Sequence, residues 1–135
     1  MTDDVDTSIR SAQLTFAVTE ADLAPALGSG DVPVLATPRM IAWLEAATVA
    51  AIADSLSPDL TSVGTSVEVD HVAASPIGTH VTVSATVRAS EGSTRIFDCE
   101  AIAITPKGRT SVIGQGSITR IIVDRGRFLA RLAGS

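Results

Sequence analysis

The chain has 135 residues, 45% hydrophobic and 19% charged, which suits one ordinary domain with ample core material. Its formal net charge of −5 argues against a general nucleic-acid binder, whose footprint would be basic. Aromatic residues make up only 3%, with no Tyr and one Trp, so a core has to rest on Val, Ile, Leu and Ala.

The chain opens on "MTDDVDTS", which is acidic and lacks the basic start and apolar run of a signal peptide. Residues 1–7 are expected to be flexible, and the single domain to span 1–135. "IRSAQLTFAVTEADL" carries a strand pattern around residues 9–19, and "APALGSGDVPVLA" is loop material rich in Gly and Pro. A long helix follows. Thr37 is placed to cap it and Pro38 suits the first helical position, where a missing N–H costs nothing. The pattern then runs about 18 residues to Leu56, where "SPD" at 57–59 stops it. The apolar run from Met40 to Ile52 is broken by Glu45 and Thr48 and is shorter than the ~20 residues of a membrane span. Ile41, Leu44, Glu45, Thr48, Val49 and Ile52 share a broad face, and alanines fill most of the rest, as expected of a helix wrapped by other structure.

After the helix the period changes to two. Residues 61–75, 79–90, 93–106 and 109–123 all read as strands. Val81, Val83, Ala85 and Val87 alternate with Thr82, Ser84, Thr86 and Arg88. The short links "SPIG", "SEGS" and "PKGR" imply antiparallel neighbours. "DRGRFLARLAGS" reads as a short terminal helix. The predicted class is α+β, a curved five-stranded antiparallel sheet around one central helix.

That architecture makes Glu45 the residue to explain, because a carboxylate without a partner is costly to bury. It is either set at an exposed angle or satisfied by a neighbour such as Thr48, or it is a nucleophile or general base at a pocket wall. His71 is a second candidate, as a strand histidine able to move protons near neutral pH. Asp70 points to the opposite face and does not orient it, and His80 beside a turn reads as solvated. Thr37 at the helix start can be a cap, a functional hydroxyl or both. Gly64 inside a strand pattern marks a bulge or a close approach. Cys99, alone and inside a strand, reads as an inert buried thiol. It cannot pair within the chain, which fits a cytoplasmic protein. "GQG" at 114–116 has no following helix to make a nucleotide loop, and neither a Gly-x-Ser-x-Gly elbow nor a Cys/His metal cluster is present, so no metal is expected.

"ATPRMIAWLEAATVAAI" followed by "SVGTSVEVDHVAASPIGTHVTVSATV" resembles the fluoroacetyl-CoA thioesterase-like branch of the hotdog-fold thioesterases over roughly residues 10–123. The resemblance rests on a spaced set: Thr37 at the helix start, Glu45 eight residues on, His71 a further 26 on, and Gly64 seven before the histidine. It implies a hotdog fold, pairing as a homodimer, and an acyl-thioester site at the dimer interface. Glu45 would attack the carbonyl or activate water, His71 would assist proton transfer, Thr37 would hydrogen-bond the carboxylate or oxyanion, and Gly64 would make a close backbone contact. CoA enters only as part of the substrate, with no other cofactor. Arg120, Arg125 and Arg127 are candidates for its phosphates, though ordinary surface arginines are the better reading. Fluoroacetyl-specific members carry aromatics before the helix; "ALGSGDVPVLA" has none, so a short or modest acyl group is expected instead. The alternatives are a non-catalytic acyl-CoA or small-ligand binding protein and, ranked lowest, a hotdog dehydratase or hydratase.

Overall fold

The structure, a computed structural model, describes residues 10–134. The expected flexibility of residues 1–7 lies outside these. Five strands form one antiparallel sheet: β1 (Ser11–Ala17), β2 (Leu60–His71), β3 (His80–Glu91), β4 (Thr94–Ile104) and β5 (Thr110–Asp124). Their order across the sheet is β1-β3-β4-β5-β2, so β1 and β2 are its edges. A one-turn helix α1 (Ala24–Leu27) sits in the segment read as loop, α2 (Thr37–Ile52) is the long helix, and α3 (Arg125–Ala133) closes the described chain.

Alternation gives the sheet two unlike faces. Val81, Val83 and Ala85 on β3 and Phe97, Cys99 and Ala101 on β4 are buried toward α2. Thr82, Ser84, Thr86, Asp98 and Glu100 point the other way. Register shifts at Gly64/Ser66, Val87/Ala89 and Ala101/Ile102 each upset the ladder, and such bulges bend a strand and increase its twist. The concave side receives α2 along a seam of Met40, Trp43, Leu44, Ala47, Thr48, Ala51 and Ile52, all buried and spaced three and four apart. Trp43 stacks on Phe16 of β1, ring centroids 4.8 Å apart.

Two expectations about α2 need correcting. It ends at Ile52, with a 3-10 turn at Ala53–Ser55 continuing toward Leu56. Nor is it buried on most sides: Ala42, Val49 and Ala50 are exposed, because the sheet covers one face of the helix and leaves the opposite one open. The alanines serve close approach on the buried face. Gly114 of β5 does the same job from the sheet, since a Cβ there would lie 2.6 Å from Met40 Sδ.

Pairing of the edge strand β2 onto β5 depends on Gly116. A Cβ at that position would collide with the backbone carbonyl of Glu68 and lie 2.7 Å from Val69 Cα, neither of which can swing aside. Gly116→Ala is therefore expected to destabilise the fold by about 2 kcal/mol or more, read by urea unfolding. An unchanged midpoint would show that β2 is not seated this closely.

Candidate active site

The chain leading into α2 is pinned before the helix begins. Leu35 N–H donates to the Ser75 carbonyl (2.8 Å) and Ala36 N–H to the Asp22 carbonyl (2.9 Å). Asp22 also pairs with Arg39 of the first helical turn at 3.0 Å. Ser75 follows β2 by four residues, so these bonds bring the start of α2 against the end of β2. The helix cap is Ala36, with Thr37 the first helical residue and Pro38 the second, which corrects the expectation that Thr37 caps. A residue inside the first turn has helical backbone angles, and its side chain is not placed to accept from the next amides. The Thr37 hydroxyl instead lies 2.7 Å from His71 Nδ1.

His71 is half-buried at the end of β2, and its Nε2 is buried without a partner among the described residues. Desolvation pushes the imidazole pKa below its ordinary value, with a weaker opposing pull from the Ala73 backbone. A neutral ring near pH 7 follows. In the tautomer where the Thr37 hydroxyl donates to Nδ1, Nε2 carries the N–H. A hollow of about 380 Å3 opens beside this pair, lined among others by Asp31, Val32, Val34 and Val72, and by no aromatic residue.

Glu45 belongs to a second cluster. Its Oε2 is 3.5 Å from Arg120 Nη1. The Arg120 side chain is only 9% exposed, against 39% for Glu45, so the cation is built into the protein and the acid is reachable. Arg120 is held by the Ser62 hydroxyl, which accepts from Nε at 2.8 Å, and by the Ser62 carbonyl, which accepts from Nη2 at 3.0 Å. Burial pulls the Arg120 pKa down and Glu45 pulls it up. A guanidinium stays charged through such shifts. Arg120 is thus no surface arginine, and its forked donors are engaged inside the protein rather than presented to a phosphate. Gly64 is the cross-strand partner of Arg120, and a Cβ there would come within 2.6 Å of Glu45 Oε2. The carboxylate therefore lies directly over the Gly64 backbone, a closeness only glycine permits. The neighbour expected to satisfy the acid, Thr48, turns its hydroxyl to the Glu45 backbone carbonyl instead (2.6 Å).

The four predicted residues thus form two pairs, Thr37 with His71 and Glu45 with Gly64. Thr37 and Glu45 are eight residues apart on α2, a rise of ~12 Å. Gly64 and His71 are seven apart on β2, or ~20 Å along a strand with one bulge. The two pairs are therefore offset from each other along both α2 and β2. The residue whose role sequence reasoning missed is Arg120. Its signal was a cation at an inward position of β5, cross-strand from Gly64 and facing Glu45 of the helix.

The other expected residues lie as follows. His80 is exposed, Asp70 is exposed, and Cys99 is buried with its thiol pushed up to about 12 by burial and by Asp98. Among the described residues, no three His, Cys, Asp or Glu side chains gather as a metal site would require, and no helix is long and apolar enough to cross a membrane.

The family model described as fluoroacetyl-CoA-specific thioesterase matches residues 18–126. This chain belongs to that family. The fluoroacetyl-CoA thioesterase of Streptantibioticus cattleyicolor is 33% identical over 99 residues, covering 73% of this chain and 68% of that protein. The solved fluoroacetyl-CoA thioesterase FlK superposes with a TM-score of 0.85 at 28% identity, covering 98% of each chain. A thioesterase superfamily member of Thermus thermophilus gives 0.81 at 26% identity, covering 91% of this chain and 88% of that one. The five-stranded sheet and long helix are therefore the hotdog fold of these thioesterases, and the family is one of thioester hydrolases.

The His71 environment has a measurable consequence. An unfolded histidine takes up its proton near 6.5, whereas the folded ring, with its lowered pKa, resists protonation until lower pH. Its contribution to stability is therefore complete above pH 6.5 and declines as pH falls below it. Urea unfolding from pH 8 down to about 5 should show this acid limb flattened in His71→Gln, with the ring NMR signals titrating below 6.5 in the parent protein. Parallel stability curves for the two proteins would mean the ring is not desolvated.

Proposed function

We propose that the protein hydrolyses a short or modest-sized acyl-CoA thioester at a site assembled between two copies of the chain. Glu45 is supplied by one subunit and the Thr37–His71 pair by the other. The observation that carries this is that the four residues fall into two pairs within one chain, Thr37 with His71 and Glu45 with Gly64 and Arg120. Each half is nevertheless prepared, the carboxylate by buried Arg120 and the imidazole by Thr37.

The open edge of β2 supports the reading. An antiparallel pairing of β2 with its copy, centred between Val67 and Glu68, sets Gly64 opposite the partner subunit's His71. Facing residues in such a pair have Cα atoms about 5 Å apart. The Glu45 carboxylate over Gly64 would then adjoin the imidazole whose Nε2 has no partner among the described residues of its own chain. Hydrolysis adds water across the thioester: oxygen bonds to the carbonyl carbon, the C–S bond breaks, and the thiolate takes the proton. Glu45 either deprotonates the water, or attacks the carbonyl itself, expelling the thiolate and forming an acyl anhydride that water then cleaves to regenerate the carboxylate. The His71 Nε2–H supports the developing oxyanion or delivers the proton to sulfur, while Thr37 fixes the ring. The reaction draws on these side chains, with CoA present as part of the substrate.

The hollow beside Thr37 and His71 is larger than a two-carbon acyl group needs and carries no aromatic wall. This favours an acyl group other than fluoroacetyl.

Glu45→Gln and His71→Ala are each expected to lower kcat for thiol release about 100-fold or more. Mixing the two variants under conditions of subunit exchange should restore activity. Half of the dimers are then mixed, each with one intact site, giving about a quarter of the parent rate. No recovery would assign both groups to one subunit, and full activity in either single variant would remove that residue from the site. Saturable acyl-CoA binding by the parent protein with no thiol release from any acyl-CoA would replace the hydrolase with a binding protein.

A further inference from the structure

The concave side holds a second, larger hollow of about 670 Å3 at the C-terminal end of α2. Its floor is apolar, with Ile52, Leu56 and Ile122 among the contributors, and Arg10, Arg88 and Arg95 stand on its rim. Among the described residues, no acidic side chain lines it. A cationic rim over an apolar floor complements a molecule that is part apolar and part anionic.

The arginines are not equivalent. Arg88 is balanced by Asp98 at 2.8 Å. Arg95 donates through Nη1 to the carbonyls of Gly92 (2.7 Å) and Thr94 (3.0 Å). Those bonds fix the side chain across the β3–β4 turn but involve neutral acceptors, so they leave its charge uncompensated.

The hollow also lies next to the Glu45 cluster. Ile52 is seven residues beyond Glu45, on the same face of α2 and ~10 Å along it. Arg95 is cross-strand from Arg120, and Arg120 from Gly64. Cross-strand partners share a face, so Arg95 is two strand spacings, ~10 Å, from the glycine beneath the carboxylate.

We infer that this hollow receives an anionic group carried by the thioester substrate and that Arg95 recognises it, an inference that rests on the hydrolase reading above. Two parts of such a substrate have this chemistry, the phosphates of CoA and a carboxylate at the far end of the acyl group.

Four thioesters separate the sources: acetyl-CoA against acetyl-pantetheine, and glutaryl-pantetheine against butyryl-pantetheine. Arg95→Gln is expected to lower kcat/KM about tenfold for the anionic member of one pair relative to its neutral partner. Loss in the first pair identifies the phosphates; loss in the second identifies the acyl carboxylate. Ser90→Asp sets a carboxylate cross-strand from Arg95 while leaving the Gly92 and Thr94 carbonyls in place, and should reproduce the same selective loss. Equal effects on all four substrates, or none, overturn the inference. If the parent protein turns over no thioester, the hydrolase reading has failed and the hollow is judged by calorimetry with CoA against pantetheine and with glutaryl-pantetheine against butyryl-pantetheine. Tighter binding of CoA than pantetheine, or of glutaryl-pantetheine than butyryl-pantetheine, that Arg95→Gln abolishes then sustains it, and equal binding within both pairs overturns it.

Discussion

The structure depends on how closely α2 can lie in the concave face of the sheet. The helix presents Ala47 and Ala51 between its larger seam residues, and the sheet answers with Ala85, Ala101 and Gly114. Small side chains on both surfaces let two curved backbones approach, and Met40, Leu44 and Phe97 fill what remains. Once the helix is seated, its N-terminus is brought to the end of β2 and its middle to the β2–β5 pair. Thr37 and Glu45 reach different parts of the site for that reason.

Seating the helix also creates the electrostatic problem raised by Glu45, and Arg120 is the answer. A buried guanidinium is costly unless its donors are used, and here the Ser62 hydroxyl and carbonyl hold two of its nitrogens while Nη1 faces the carboxylate. The acid keeps access to solvent and gains a fixed counter-charge. His71 is treated in the opposite way. It is partly desolvated, kept neutral and oriented by one hydroxyl, and its Nε2 has no partner among the described residues.

Much of the fold was legible from pattern. The strict alternation of Val81–Val87 marked β3, the period change after residue 60 marked the sheet, and "SPD" marked the region where the helix gives way, though α2 itself stops at Ile52, before the expected end at Leu56. Thr37, Glu45, Gly64 and His71 stood out through residue type and spacing. The cap assignment failed because Thr37 and Ala36 differ by one residue in backbone geometry, and a hydroxyl able to bond a distant imidazole looks in sequence the same as one able to cap. Arg120 could not be distinguished from Arg125 and Arg127, because its inward direction depends on the phase of β5 and on the β2 bulge beside Gly64.

The amino-acid sequence by itself determined the elements, the two-faced sheet, the apolar seam of the helix and the short set of polar residues worth attention. These follow from local preferences and from periods of two and 3.6, which are written along the chain. Tertiary structure alone decided the strand order, the burial of Arg120 against Glu45, and the pairing of Thr37 with His71. Such facts depend on distances between segments far apart in sequence. No local period encodes them, because they arise only when the curved sheet closes on the helix.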